Sequence, residues 1–164
     1  MSEFSDKYDV TLITRKEEVN YHNIEEINPR FIFFPHWSWI IPQDIYNNFE
    51  CIVFHMTDLP YGRGGSPLQN LIANNVEKTK ISAIRVGEDL DTGKIYLKED
   101  LDISLGSAEE LFIKISGKVF NKMIPAIMEE NIEPYEQQGE VVTFKRRKPE
   151  QSELSSTEVK RRLR

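Results

Sequence analysis

The sequence predicts an α/β fold with a mostly parallel sheet, and three observations lead to this prediction. Short apolar runs of strand length alternate with polar segments of helical pattern through the first half of the chain. The composition, with 39% apolar and 29% charged residues, is that of a globular protein. A chain of 164 residues forms one domain with a sizeable core, and no internal repeat or interdomain linker divides it.

Six apolar runs are predicted strands, with helices between several of them. The runs lie at residues 10–13, 31–34, 51–54, 81–86 and 94–97, and in the segment GEVVTF that begins at Gly139. A helix between the first two runs is expected to end at Asn28, because a residue that precedes proline avoids the helical backbone. The segment QDIYNNF gives a short helix or a turn before the strand at Cys51.

Two further helices have explicit start signals. Ser66 and Pro67 fit the N-cap and first position of a helix, and the preceding GRGG stretch reads as a tight turn. Ser107 and Glu110 have the spacing of a capping box, and the apolar residues that follow recur at helical intervals. Pro125 is expected to kink this longer helix near its end.

Cysteine usage and charge limit the cellular compartments and the kinds of partner that we expect for the protein. The single Cys51 lies in an apolar run, which excludes a disulfide framework and indicates a reducing compartment. Since no stretch is long enough to cross a bilayer and the N-terminus lacks a secretory pattern, we expect a cytoplasmic protein with no membrane partner. Residues 145–164 hold eight Lys or Arg and three Glu, a net of +5, which leaves −11 for residues 1–144 because the whole chain carries −6. An acidic body argues against a nucleic-acid partner, because phosphate binding needs many cations on one face.

The histidine at the end of the apolar run 51–54 is the first candidate for chemistry. His55 precedes a loop with one proline and three glycines, and a helix start with a second proline follows at Ser66 and Pro67. Strand, polar loop and helix start are the place where open α/β sheets bind ligands. From position alone, His55 is equally well a strand-end residue whose ring bonds to the backbone. The sequence has no Walker loop, GxGxxG or GxSxG motif, and its three histidines and one cysteine give no zinc pattern, so no metal site is expected.

Two short motifs, FHMTDLPYGRGGSPLQ and GEDLDTG about thirty residues later, carry a family resemblance. Together they resemble the formyltransferases that use 10-formyltetrahydrofolate, in which a strand ends in His and is followed by an SLLP loop, RGxxPxQ and an LDTG loop. FIFFPHWSWIIP takes the place of the family segment that borders the pterin, and EQQGEVVTFKRRKPEQSEL resembles the family's ending after the last helix. Each motif alone is weak, but their order and spacing over about residues 28–154 make the combination specific.

The resemblance implies a Rossmann-like formyltransferase fold, with a catalytic domain at residues 1–144 and a basic tail at 145–164. In the family, an amine attacks the formyl carbon, and a His and an Asp manage the proton and the developing oxyanion. These roles fall on His55 and Asp91, although Asp91 without the resemblance is an ordinary turn residue. The implied site also includes two groups of contacts: 10-formyltetrahydrofolate as co-substrate would lie against Trp39, Ile40, Ile41, Gly87, Glu88 and Asp89, and the acceptor against Thr57, Asp58, Arg63 and Gly64.

Three positions depart from the family pattern. Val53 stands where the family has an Asn that binds the formyl oxygen, so either another group such as Thr57 compensates or activity is weakened. Asp58 replaces a Leu of the SLLP loop, and it either holds the ammonium of an amino sugar or caps the loop. The predicted strand at 10–13 lies so close to the start that the family's first βα unit is expected to be missing.

The acceptor and the assembly are further expectations. The family's methionyl-tRNA members carry an additional C-terminal domain for which this sequence leaves no room, so the resemblance favours a nucleotide-linked amino sugar as acceptor. The alternatives are an enzyme like methionyl-tRNA formyltransferase and a non-catalytic folate- or sugar-nucleotide-binding relative. A homodimer built around residues 120–148 is expected because GEVVTF would expose a strand edge, with residues 155–164 disordered and a self-closed monomer as the alternative.

Overall fold

The computed structural model describes residues 7–152 as six strands and five α-helices. The strands are β1 (Ile32–Phe34), β2 (Cys51–His55), β3 (Tyr61–Gly64), β4 (Lys78–Arg85), β5 (Ile95–Asp102) and β6 (Val142–Phe144). The α-helices are α1 (Tyr21–Ile27), α2 (Gln43–Asn48), α3 (Pro67–Ala73), α4 (Ala108–Lys118) and α5 (Ile124–Glu129), with a π-helical turn at Val119–Met123 and 3-10 turns at Lys16–Glu18 and Pro149–Ser152. Five of the six predicted strands and all the predicted helices are therefore present.

Four strands form the main sheet in the order β1-β2-β4-β5, and β3 pairs with β6 in a second, two-stranded sheet. The α/β class is confirmed. β1 and β2 run parallel because α2 carries the chain across between them, and β3 and β6 are also parallel. β4 runs antiparallel to both β2 and β5, so the main sheet is mixed and differs here from the mostly parallel sheet expected. Residues 86–94 connect β4 directly to β5 without a crossover helix, which accounts for the antiparallel pairing of these two strands.

Two parts of the chain differ from their sequence-based expectation. Residues 10–13 do not form a strand, since Val10 and Leu12 are exposed and the described residues offer no neighbouring strand to pair with them. The stretch that forms β3 was expected to be a tight turn because three of the residues 61–65 are glycines. Its partner β6 lies about 80 residues away in sequence. Pairing with a distant strand overrides local propensity in β3.

Alternating side chains of β2 reach two different apolar clusters. Ile52 and Phe54 face the larger cluster, which contains α4, α5 and the inner face of α3. Cys51 and Val53 face the smaller cluster, which contains Ile41 and α2. The main sheet is thus covered on both faces, and His55 shares the face of Cys51 and Val53 because side chains alternate along a strand.

The start of α4 is fixed by the expected capping box. The Ser107 side chain accepts from the Glu110 amide, and the Glu110 carboxylate accepts from the Ser107 amide. The apolar stripe continues through the π-helical turn to α5. The turn ends two residues before Pro125, whose missing N–H explains a break in the regular helix there. Across residues 7–152, no helix is long and apolar enough to cross a membrane.

Candidate active site

His55 is held at the carboxyl end of β2 between two hydrogen-bond acceptors. The residue is 8% exposed. Its Nε2 lies 2.8 Å from the carbonyl oxygen of Gly62, and its Nδ1 lies 3.5 Å from Oδ1 of Asp91. The second distance is that of an ion pair rather than a good hydrogen bond. Sequence positions 36 residues apart are therefore adjacent in the fold, as the resemblance implied.

The surroundings of the imidazole determine what it can do with a proton. A carbonyl oxygen and a carboxylate both accept hydrogen bonds and donate none. A neutral ring, with a single N–H, can donate to only one of them, whereas a ring that has gained a proton can donate to both. The arrangement therefore suits a histidine that takes up a proton during a reaction and holds it beside a largely buried carboxylate.

Asp91 lies in the loop of residues 86–94 and uses both carboxylate oxygens. Oδ1 faces His55, and Oδ2 accepts a hydrogen bond of 2.8 Å from the amide of Gly64. The backbone of Asp91 is left-handed, with φ of 57°, a conformation that Asp adopts more readily than most residues. Close to it, the Thr92 hydroxyl donates to the Asp89 carbonyl and closes the turn.

The loop after β2 fixes the Gly62 carbonyl that faces His55. Thr57 is fully buried, and its hydroxyl donates to the same Gly62 oxygen at 3.3 Å. Ser82 on β4 donates its hydroxyl to the Thr57 carbonyl at 2.7 Å. Gly62 has φ of 81°, and a Cβ there would lie 2.7 Å from side-chain atoms of Thr57 and Phe144. Only glycine fits at this position, so the loop brings a backbone oxygen to the ring.

Two further residues predicted to contact the acceptor substrate, Arg63 and Asp58, bind other side chains of the protein. The Arg63 guanidinium donates twice to Oε1 of Gln137, at 3.0 and 2.8 Å. The Asp58 carboxylate pairs with Lys98 at 2.5 Å, and Lys98 also donates to the Leu59 carbonyl. Of the four residues predicted to contact the acceptor, Thr57 and Gly64 therefore touch the groups around His55. Asp58 binds Lys98, and Arg63 binds Gln137.

The two segments expected to contact the co-substrate border the same apolar cluster. Ile41 is buried in the cluster that Val53 joins, and Val86, the residue before Gly87, packs against it. Trp39 and Ile40 are 51% and 92% exposed, and Leu90 is 70% exposed on the other segment. Gly87, Glu88 and Asp89 are exposed in the loop of residues 86–94. Both segments thus carry exposed apolar side chains and border one buried cluster, and side chains of this kind suit contact with a flat aromatic ligand.

Two cavities are not lined by His55 or Asp91. One of about 390 Å³ is bordered by Glu50, Arg85 and Tyr96, and one of about 430 Å³ by Asp58, Tyr61 and Leu71. Among residues 7–152, no group of three or more His, Cys, Asp or Glu side chains is arranged to hold a metal ion.

Cys51 lies two residues from Val53 on the face of β2 that carries His55, and its thiol is inert by position. Burial raises the pKa of Cys51 to about 12, with a smaller contribution from the Glu50 carboxylate. Because the thiolate is the reactive form, we expect no labelling by an aromatic disulfide reagent at pH 8 in the native protein. One equivalent should react after unfolding in guanidinium, since the chain has a single cysteine. Rapid labelling of the native protein would contradict the position of β2.

Three groups of this site were not identified from the sequence. The Gly62 carbonyl faces His55 because of the backbone path of the loop, and the Ser82 hydroxyl binds that loop from β4. No residue pattern in the sequence pointed to either group. Gln137 connects Arg63 to the Asp91 loop, since its Nε2 donates to the carbonyls of Asp91 and Gly93 at 2.8 and 2.9 Å. The only sequence signal for Gln137 was its place in the segment that resembles the family's ending.

Comparison with known proteins gives methionyl-tRNA formyltransferases among the relatives of this chain. A methionyl-tRNA formyltransferase of Campylobacter jejuni is 28% identical over 149 residues, which cover 90% of this chain and 49% of the relative. The solved structure of the methionyl-tRNA formyltransferase from Clostridium thermocellum is 55% identical, with a TM-score of 0.90, and the match covers 94% of this chain and 68% of that one. The chain thus spans about half the length of the curated relatives it matches.

A third similarity concerns the fold alone. The structure of WlaRD, a sugar 3N-formyl transferase solved in the presence of dTDP and 5-N-formyl-THF, is 22% identical, with a TM-score of 0.56. The match covers 70% of this chain and 46% of that one. The Rossmann-like formyltransferase fold expected from the sequence is confirmed by these structures. The family model described as formyl transferase matches residues 4–126, about three quarters of the chain, and the protein belongs to the formyltransferase family.

Proposed function

We propose that the protein transfers the formyl group of 10-formyltetrahydrofolate to a primary amine. The observation that carries this proposal is the largely buried pair of His55 and Asp91, with the Gly62 carbonyl on the other side of the ring. Membership of the formyltransferase family and the exposed apolar side chains of Trp39, Ile40 and Leu90 support the same conclusion.

The roles of the two side chains follow from their contacts. His55 takes the proton that the amine loses when it attacks the formyl carbon, because the protonated ring can donate to Gly62 and Asp91 together. The bond between the formyl carbon and the folate nitrogen then breaks, and this nitrogen receives the proton, which releases tetrahydrofolate. Asp91 stabilises the protonated ring by its charge, and the Gly64 amide keeps the carboxylate oriented. The co-substrate supplies the formyl carbon, and Trp39, Ile40 and Ile41 with Gly87, Glu88 and Asp89 would border it.

Methionyl-tRNA is the acceptor best supported by similarity. The relatives that cover most of this chain, at 28% and 55% identity, are methionyl-tRNA formyltransferases. The α-amino group of the aminoacyl ester is a primary amine of the kind that the proposed chemistry requires.

A nucleotide-linked amino sugar is the second candidate, and the charge of the chain favours it. Residues 1–144 carry a net charge of −11, since residues 145–164 carry +5 of a total of −6. Such an acidic body repels a polyanion over any large contact surface. Asp58 adds little to this candidate, because its carboxylate is paired with Lys98.

The acceptor is tested with 10-formyltetrahydrofolate that carries a labelled formyl group. Each acceptor is offered beside a control that lacks only the amine: methionyl-tRNA beside uncharged tRNA, and amino-sugar nucleotides beside their hydroxyl counterparts. Label in methionyl-tRNA alone supports the first candidate, and label in an amino sugar alone supports the second. Folate binding by calorimetry without label in any amine would indicate a non-catalytic relative.

A substitution at Val53 tests separately whether the site lacks a hydrogen-bond donor to the developing oxyanion. Val53 pairs with Phe34 and Ile84 and shares the strand face of His55, so an amide at this position would point toward the reacting groups. A single hydrogen-bond donor to a developing oxyanion contributes about 10²–10³-fold in rate. Because valine is packed between two clusters, we expect Val53→Asn to recover a part of this, about tenfold in kcat, measured by tetrahydrofolate release. A loss of rate instead would mean that a group such as Thr57 already serves the oxyanion.

Other parts of the expectation remain predictions. β6 pairs with β3 of its own chain, so one of its edges is already used, and the homodimer around residues 120–148 stays a prediction. The cytoplasmic location and the division at residue 144 are likewise proposals. The expected disorder of residues 155–164 lies outside the described residues.

A further inference from the structure

Gln137 joins three parts of the chain that meet at the proposed active site. It is half-buried in the segment after α5, where Tyr135 and Ile95 exchange two backbone hydrogen bonds of 2.8 and 2.9 Å. This bridge fixes the backbone two residues before Gln137. From there the side chain reaches Arg63 on β3 and the loop that carries Asp91.

The hydrogen bonds of Gln137 use both ends of its amide and determine its orientation. Oε1 accepts from Nε and Nη2 of Arg63, and Nε2 donates to the carbonyls of Asp91 and Gly93. The opposite orientation would place the NH2 group against a guanidinium and the oxygen against two carbonyls. Four hydrogen bonds would then be lost, so the amide has a single acceptable orientation.

The Asp91 backbone needs such support. Its φ of 57° is costly for a residue other than glycine, and conformations of this kind persist where the surroundings hold them. The hydrogen bond from Gln137 to the Asp91 carbonyl fixes the peptide group next to the side chain that faces His55. A change in that peptide group moves the carboxylate relative to both His55 and the Gly64 amide.

We infer that Gln137 is a positioning residue, which holds the Asp91 carboxylate against His55 through the Asp91 and Gly93 carbonyls. It touches neither His55 nor the Asp91 carboxylate itself, and it acts through the loop backbone. The inference rests on the proposed formyl transfer only for its kinetic readout.

Gln137→Glu tests the hydrogen bonds to the Asp91 loop separately from those to Arg63. A glutamate keeps an oxygen toward Arg63 but presents its other oxygen to two carbonyl oxygens, so the hold on the Asp91 loop is lost. We expect kcat to fall about tenfold to a hundredfold, since a displacement of about 1 Å costs up to about 10²-fold, with KM for the folate changed by less than about twofold. The matched control is Gln138→Glu, which adds the same charge at an exposed neighbouring position and should leave kcat unchanged.

A second readout does not depend on catalysis. The Gly64 amide donates to Oδ2 of Asp91, so its hydrogen exchange, measured by nuclear magnetic resonance, reports where the carboxylate lies. In Gln137→Glu this exchange should become about tenfold faster or more, and in Gln138→Glu it should not change. If Gln137→Glu does not fold, Gln137→Met removes the same hydrogen bonds without adding charge, and the same two results are expected.

The outcomes distinguish this inference from the proposed function. Unchanged Gly64 exchange in the Gln137 variants, or a lower unfolding midpoint with kcat unchanged, would overturn the positioning role. A wild-type protein that transfers no formyl group would overturn the proposed function, and the Gly64 exchange would still decide the role of Gln137.

Discussion

Replacing His55 with alanine should lower the rate of formyl transfer by about 10²–10⁴-fold, the usual contribution of general acid–base catalysis. The ring is the group placed to take the proton of the attacking amine, because its two nitrogens face the Gly62 carbonyl and the Asp91 carboxylate. Alanine removes both contacts and leaves the Asp91 charge buried without its partner. The rate is followed by the absorbance of released tetrahydrofolate at saturating acceptor.

Asp91→Asn and His22→Ala complete this experiment. The asparagine keeps the shape of Asp91 but removes the charge that stabilises a protonated His55, so its rate should also fall by orders of magnitude. His22 lies exposed on α1 beside Glu26, and His22→Ala should leave the rate unchanged. Unchanged rates in both His55→Ala and Asp91→Asn would show that the active site lies elsewhere in the protein.

Gly93→Ala should destabilise the fold by about 3 kcal/mol, which is a large effect for a single added methyl group. A Cβ at this position would lie 1.8 Å from the carbonyl oxygen of Arg85, which is backbone and cannot move aside alone. Arg85 ends β4 where the loop begins, and at the other end of the loop the Gly93 carbonyl accepts a hydrogen bond from Gln137. The substitution must therefore displace the loop that carries Asp91.

Gly87→Ala is the matched control for this prediction. Gly87 belongs to the same loop between β4 and β5, and a Cβ there would meet no atom within 4 Å. Unfolding in urea should show the two alanine variants separated by about 3 kcal/mol, with Gly87→Ala close to the original protein. Equal stability of the two variants would mean that the loop does not approach Arg85 as described.

Local patterns in the sequence were sufficient to predict the features of the fold that depend on residues close together in the chain. The capping box of Ser107 and Glu110 forms as its spacing predicted, and the strand before His55 was evident from its apolar run. The approach of Asp91 to His55 was predicted from the resemblance, because the LDTG motif alone is compatible with an ordinary turn. The capping box and the strand could be predicted from neighbouring residues, and the pair of His55 and Asp91 from two motifs in a specific order.

Features that depend on distant pairing were not predictable in the same way. β3 forms because β6 lies beside it, and its glycines give no strand signal. Ser66 occupies the N-cap of α3 as expected, but its hydroxyl accepts from the Arg147 amide instead of capping the helix. The main sheet is mixed because β4 runs antiparallel to both β2 and β5, although the alternation of elements suggested parallel strands. For β3 and Ser66, a contact across the fold outweighs the local preference.

The backbone also supplies groups that no side-chain pattern announces. The carbonyl of Gly62 faces His55, and the amide of Gly64 holds Asp91. The glycines in this stretch indicated an unusual backbone path, since Gly62 and Gly64 have φ of 81° and 100°. The direction in which that path turns its carbonyl and amide groups became clear only from the fold.

The most direct test of the proposed function is acceptor-dependent release of tetrahydrofolate by the unmodified protein. The protein is mixed with 10-formyltetrahydrofolate, methionyl-tRNA or an amino-sugar nucleotide is added, and absorbance is followed while formylated product is measured by mass spectrometry. The proposed function predicts release only in the presence of an amine acceptor, with one formylated amine for each tetrahydrofolate. No release with either acceptor, together with no binding of folate by calorimetry, would contradict it.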